Sequence, residues 1–182
     1  MKKKEAEGGL GYVMIFLAAM IMVILTLYLL QMAKLMTHQH DVDDALADSV
    51  LASLIADDEY YYETADAGNA VVRFDDTYNS YNIYKECMNA AIGNTEGFYY
   101  NFRFDTFICY EVNGSTVTVT KYLGEYGSGQ VTTGNLGTVK TPDGKVVSET
   151  SAYGKVRFDI KNILSGDYIE KTRSIYCTIK IN

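Results

Sequence analysis

His38 and His40 are the only histidines in this chain of 182 residues. Asp41, Asp43 and Asp44 follow closely, so metal binding is the first chemistry to weigh. On a helix, positions i and i+2 point about 200° apart, so the two imidazoles cannot enter one ligand sphere. His40 and Asp44 form an i,i+4 pair, a weak site at best, and a solvated helix face is the plainer reading. Asp57-Asp58 and Asp75-Asp76 offer paired carboxylates. A calcium loop, however, alternates its acids, turns on a glycine and closes with a distal glutamate, and neither pair does so. The Gly124–Gly129 stretch lacks the lysine and following helix of a phosphate-binding loop. No GxSxG, HExxH, Walker or dinucleotide fingerprint occurs. The expectation is no catalytic residue, no metal and no cofactor: the chain is not read as an enzyme.

Charge excludes another class. The chain carries −7, and Lys2, Lys3 and Lys4 against Glu5 and Glu7 leave the rest at −8. So acidic a body repels phosphate backbones, and no Lys/Arg stripe offsets it, so nucleic acid is not expected as a partner. Sixteen tyrosines invite carbohydrate or electron-transfer readings, but tyrosine in strands is usually half-buried sheet packing. Three cysteines (Cys87, Cys109, Cys177) permit one disulfide and a free thiol, or no disulfide, and are too far apart for a CxxC motif.

The elements that position these residues begin with an anchor. Leu10 to Leu30 holds no charge, and its only polar side chains are Tyr12, Thr26 and Tyr28. A helix from Leu10 to Met32 spans about 34 Å, enough for a hydrocarbon core of about 30 Å. The lysines precede it and acids follow, which puts residues 1–9 in the cytoplasm and residues 33–182 outside. A cleaved secretory signal is the rival, but its apolar region runs to about 15 residues and ends in a small-x-small site, absent here. The span is followed by Leu35, Val42, Leu46, Val50 and Leu54 at intervals of four or seven. These form the stripe of an amphipathic helix over residues 33–58, continuous with the span or broken near Thr37–His40.

Beyond it, residues 59–182 read as an α+β domain rich in antiparallel strands. A connecting segment, with a short strand at Ala70–Phe74, leads to a helix over Tyr78–Ile92 capped by Thr77. From Phe98 the period becomes two: Phe98, Tyr100, Phe102, Phe104, Ile108, Tyr110 and Val112 share a face. Asn113-Gly114 predicts a hairpin pairing Tyr110 with Val117 and Ile108 with Val119. Gly124–Gly137 reads as a surface loop, and Pro142-Asp143-Gly144 as a turn between short strands. In a last hairpin Val156, Phe158 and Ile160 alternate with Lys155, Arg157 and Asp159, and Ile175, Cys177, Ile179 and Ile181 return on one face. The sum is an antiparallel sheet of five to seven strands with the long helix on one face. Cysteine phase puts Cys177 on the buried face and Cys109 on the opposite one. A second helix over that other face brings Cys87 to Cys109, the one disulfide expected.

A basic leader, a long apolar helix and a C-terminal antiparallel sheet together resemble type IV pilin-like proteins, most closely TadE-like pseudopilins of the tight-adherence (Flp) pilus. The resemblance rests on Lys2–Lys4, Gly8-Gly9-Leu10-Gly11, the span, and Asp43-Asp44-Ala45-Leu46-Ala47-Asp48. It implies a minor pilin or pseudopilin-like structural or assembly component of a pilus at the cell surface. Its partners would be membrane lipid and other pilin-like subunits, met through the N-terminal helix. The resemblance also implies a leader-processing junction at Gly8, Gly9 and Leu10, because a prepilin peptidase cuts after a glycine in that family. The family's glutamate five residues into the mature chain has no counterpart. Cutting after Gly8, Gly9 or Gly11 places Val13, Met14 or Phe16 there, which fits a minor, uncleaved or initiating component. The alternative is a membrane-tethered binding or adhesion module that never polymerises.

Overall fold

A computed structural model describes residues 3–93, 99–161 and 166–179. Its contacts divide the chain into two units, Met1–Asp41 and Val42–Asn182. Helix α1 (Lys3–Ala52) runs through the apolar span and through Thr37–His40, as expected of a stretch with no proline and no glycine after Gly11. Its two exposed threonines are internally satisfied: Thr26 Oγ1 donates to the Met22 carbonyl at 2.8 Å and Thr37 Oγ1 to the Ala33 carbonyl at 3.1 Å. The helix stops at Ala52, short of the expected residue 58, without a helix breaker. Ser53 Oγ takes the Val50 carbonyl at 2.7 Å, and Leu54 N bonds Leu51 O at 3.1 Å, which tightens the last turn.

In the second unit two further helices precede the strands. Helix α2 (Asp58–Asp66) occupies what reads in sequence as a connection. Asp57 caps it, accepting from Tyr60 N at 3.0 Å through Oδ1. Oδ2 of Asp57 holds the Arg73 guanidinium at 2.6 Å, itself 3.7 Å above the Tyr60 ring. Ala70–Phe74 forms only an isolated bridge, Ala56 to Phe74. Helix α3 (Thr77–Gly93) matches the expected helix, but its cap is Asp76, whose Oδ1 accepts from Tyr78 N at 2.8 Å. Thr77 turns away to bond the Tyr122 hydroxyl at 2.9 Å.

The strands β1 (Tyr99–Asn113), β2 (Thr116–Leu123), β3 (Gln130–Asn135), β4 (Ser151–Lys161) and β5 (Tyr168–Thr178) make one antiparallel sheet. Its order is β3-β2-β1-β4-β5. With the apolar helix, this makes an α+β fold. Strand β3 lies inside the expected Gly124–Gly137 loop. It has little apolar content of its own and is a strand because β2 offers it a partner. The β1–β2 turn forms one residue along from the predicted one, which moves the pairing by two residues: Val112 stands opposite Val117 and Tyr110 opposite Val119. The turn residues are Gly114 and Ser115. Gly114 takes φ 58 while Asn113 stays in the ladder, as a turn with glycine at its first central position requires. Because both strands shift together, the residues sharing a face are unchanged.

The larger correction concerns the faces of β1. Pairing with β4 slips between Tyr100 and Arg103 and again between Phe104 and Thr106. The second slip inserts Asp105, so Phe104 and Ile108 fall on opposite faces. One face is covered by helices. A Cβ added to Gly154 would stand 2.6 Å from Val50 Cγ2 of α1 and 2.9 Å from Tyr84 Cε2 of α3. Tyr81 stacks on Tyr122 with centroids 4.6 Å apart, and Tyr84 on Phe107 at 4.8 Å. The other face buries Ile108, Tyr110, Val117, Val147 and Tyr153 as a separate cluster. Both faces are therefore buried over the centre of β1. Phe98 and Ile181, expected on buried faces, lie outside the described residues.

Candidate functional site

The span is the first candidate. Gly9–Ala33 is one helix long and apolar enough to cross a membrane, and none of its most apolar window is buried. Between Leu10 and Leu30 every large apolar side chain is exposed, Leu10 at 70% and Phe16 at 67%. Full burial of one such side chain is worth about 1.5–3 kcal/mol, so the run as a whole demands an apolar environment. Gly8, Gly9 and Leu10 sit within the first turns of α1. A Cβ at Gly9 or Gly11 would meet nothing within 4 Å, so packing within the chain does not require glycine there.

The cysteines do not form the expected pair: Cys87, Cys109 and Cys177 are all free thiols. Helix α3 turns Ser80, Tyr81, Tyr84 and Met88 inward, and Cys87 is left half-exposed at the margin of that stripe. Cys109 and Cys177 share the helix-covered face rather than pointing to opposite ones. Each is in register with Ala152 of β4 between them, so two strand spacings of about 4.8 Å separate them, too far for a disulfide. Burial pushes the Cys109 thiol well above its ordinary range, with the Glu111 and Asp76 carboxylates acting the same way. His40 and Asp44 are both exposed on α1. Among the described residues no three His, Cys, Asp or Glu side chains gather as a metal would need.

The second candidate is the sheet face away from the helices. Its cover is the segment from Leu136 to Thr150, folded by the bridge Lys140 to Val146 around the Pro142-Asp143-Gly144 turn. Asp143 pins it down. Its carboxylate accepts from the Tyr153 hydroxyl at 3.1 Å and from Ser174 Oγ at 2.7 Å. Lys145 Nζ stands 4.5 Å over the Tyr176 ring, and Val147 is fully buried beneath. Burial, chiefly, raises the Tyr153 hydroxyl to about 12, and Tyr110 is raised for the same reason.

Beside this cover an open groove of about 450 Å³ remains. Its floor is Ile108, Tyr110 and Val119, its walls are β3 and Val139, and Lys121 and Lys140 stand over it. Neither ammonium has an ion-pair partner among the described residues, whereas Lys155 and Arg157, further along the same face, hold Asp105 at 3.2 and 2.7 Å. The groove combines an apolar floor with two free cations in an acidic chain, which suits an aromatic group carried among carboxylates. It has no nucleophile–base pair. Sequence reasoning missed it because its residues come from β1, β2, β3 and the cover, brought together only by pairing. The solvent-side lysine of β2, Lys121, beside Val119 is the one local trace. No protein-family model matches the chain, and no curated protein and no solved structure does either.

Proposed function

We propose that this protein is a structural or assembly component of a pilus-like cell-surface apparatus, of the minor-pilin or pseudopilin kind. The observation that carries the reading is the helix Gly9–Ala33, uncharged between Leu10 and Leu30, exposed on every side, and joined to an α+β domain. Such a helix rests in lipid alone, or against copies of itself in a bundle. Outside lipid only the second environment buries it. The N-terminus lies in the cytoplasm and the folded domain outside, by the charge asymmetry around the span. Gly9 and Gly11, which packing within the chain does not require, stand with Gly8 at the junction available to a processing peptidase. Partners are lipid and other pilin-like subunits. The role is non-catalytic: in support, burial moves Tyr81, Tyr84, Tyr110, Tyr153 and Cys109 away from neutral pH rather than towards it.

A second reading is a tethered binding or adhesion module that stays monomeric in the membrane. The absence of any carboxylate between Leu10 and Leu30 favours it, since a filament shaft gains register from such a group paired with a neighbouring amino terminus. Immunogold labelling of the producing cells, with mechanical shearing and blotting of the sheared fraction, separates the two. Label on filaments or their tips, and protein in the sheared fraction, is the expected result. Protein retained wholly in the membrane of piliated cells establishes the tethered module instead.

A further inference from the structure

Helix α2 buries none of its residues, and its exposed positions form a pattern. Asp58, Glu59, Tyr62, Glu63 and Asp66 are exposed, and the spacing of i, i+3, i+4 and i+7 places Glu59, Tyr62, Glu63 and Asp66 on one stripe. Tyr60 and Tyr61 are only partly exposed, and Tyr60 lies under Arg73. Tyr62, in contrast, stands 68% exposed, an aromatic side chain among three carboxylates, none of them ion-paired among the described residues.

The groove on the far sheet face is its complement: an apolar floor of Ile108, Tyr110 and Val119 beneath the free ammonium groups of Lys121 and Lys140. Its volume of about 450 Å³ admits one or two aromatic side chains rather than a whole helix, whose diameter is about 10 Å. We infer that α2 of one copy docks on the groove of a second copy, with Tyr62 entering between Lys121 and Lys140 and Glu59 and Glu63 meeting the two ammonium groups. Aromatic anchors in desolvated pockets carry most of the affinity of protein contacts, and complementary charge at the rim sets orientation.

Donor and acceptor surfaces differ, so the contact is head-to-tail: each copy that receives a helix still offers its own. Such contacts grow open-ended arrays unless the rotation closes a ring. The inference deepens the assembly reading and rests on it, adding a contact between folded domains to the packing of apolar helices.

The test uses the full chain in the membrane of producing cells, in a Cys87→Ser, Cys177→Ser background. One tagged copy carries Asp66→Cys and a second carries Thr132→Cys at the groove wall, and a bifunctional thiol reagent is added to intact cells. The expected result is a cross-link between the two tags. It is lost when Lys121→Glu and Lys140→Glu are introduced on the groove copy, and regained when Glu59→Lys and Glu63→Lys are added to the helix copy. A charge-reversed protein that merely misfolds is not rescued by changes on its partner, so a regained cross-link excludes misfolding; failure to regain it, with a groove copy that accumulates and resists protease as the unreversed protein does, overturns the contact. So does a cross-link indifferent to the reversals, or one that joins the groove only to another protein. Protein that shears off with filaments but never cross-links refutes this contact and leaves the assembly reading standing. Protein that cross-links as charge demands yet stays wholly in the membrane supports the contact and refutes the filament.

Discussion

Cys109 has no exposed surface, and Cys87 and Cys177 are partly exposed. Since only the thiolate alkylates, burial protects Cys109 twice, by blocking access and by raising its pKa. Iodoacetamide at neutral pH is therefore expected to modify Cys87 and Cys177 first and Cys109 only on unfolding. Peptide mapping reads this directly, and denatured, unreduced protein should take three labels. The buried tyrosines give a second expectation. Tyr81, whose hydroxyl donates to the Gly124 carbonyl, and Tyr153 are held near 12 by burial, against about 10 in the unfolded chain. Both raised values mean that the folded state retains protons the unfolded state releases. Their contribution is complete below pH 10 and is lost as the pH rises through 12. Alkaline titration should show tyrosinate absorbance and loss of fold rising in one transition, and separate transitions would contradict this.

At the scale of elements, helix-on-sheet packing hinges on Gly154. An added Cβ there meets Val50 Cγ2 and Tyr84 Cε2 well inside contact distance. Gly154→Ala should cost about 1–3 kcal/mol by overpacking, read as a lower denaturant midpoint with an unchanged slope. Helix α2 is held differently. Its cap Asp57 has a carboxyl held below its usual range by the Tyr60 N–H first and by Arg73 second. A depressed value stabilises above the unfolded pKa and is lost as pH falls through the folded one. Protection of the α2 amides, relative to their intrinsic exchange rates, should therefore fall below about pH 4, ahead of the sheet. Much at this scale was legible in sequence. The span, α3 and both long hairpins announce themselves by apolar period and turn residues. Helix α2 hid because Asp58–Asp66 has no apolar stripe, although Asp57 and its acidic first turn were a signal. Strand β3 hid because its neighbour makes it a strand. The faces of β1 were misread because a bulge at Asp105 reverses the parity of Phe104 before the slip next to Tyr100 restores it, and alternation cannot show a bulge.

At the scale of the whole molecule, the apolar helix was the legible part of the candidate machinery, since length and apolar content are properties of a continuous run of residues. The groove was not legible, because Ile108, Val119 and Lys140 become neighbours only after the sheet forms. The central pair is β1 with β4, yet β1 ends at Asn113 and β4 begins at Ser151, with β2, β3 and the pinned cover between. Each hairpin can close in about 1–10 μs. Joining them waits for the long loop and for synthesis of everything after it. During that interval a newborn chain carries two sticky ribbons, with Phe107 and Tyr110 bare on opposite sides of the first. The hazard to this protein is therefore greatest in its infancy. A brief protease pulse early in refolding should cut the segment between Gly124 and Thr150 in young molecules and spare that same segment in mature ones.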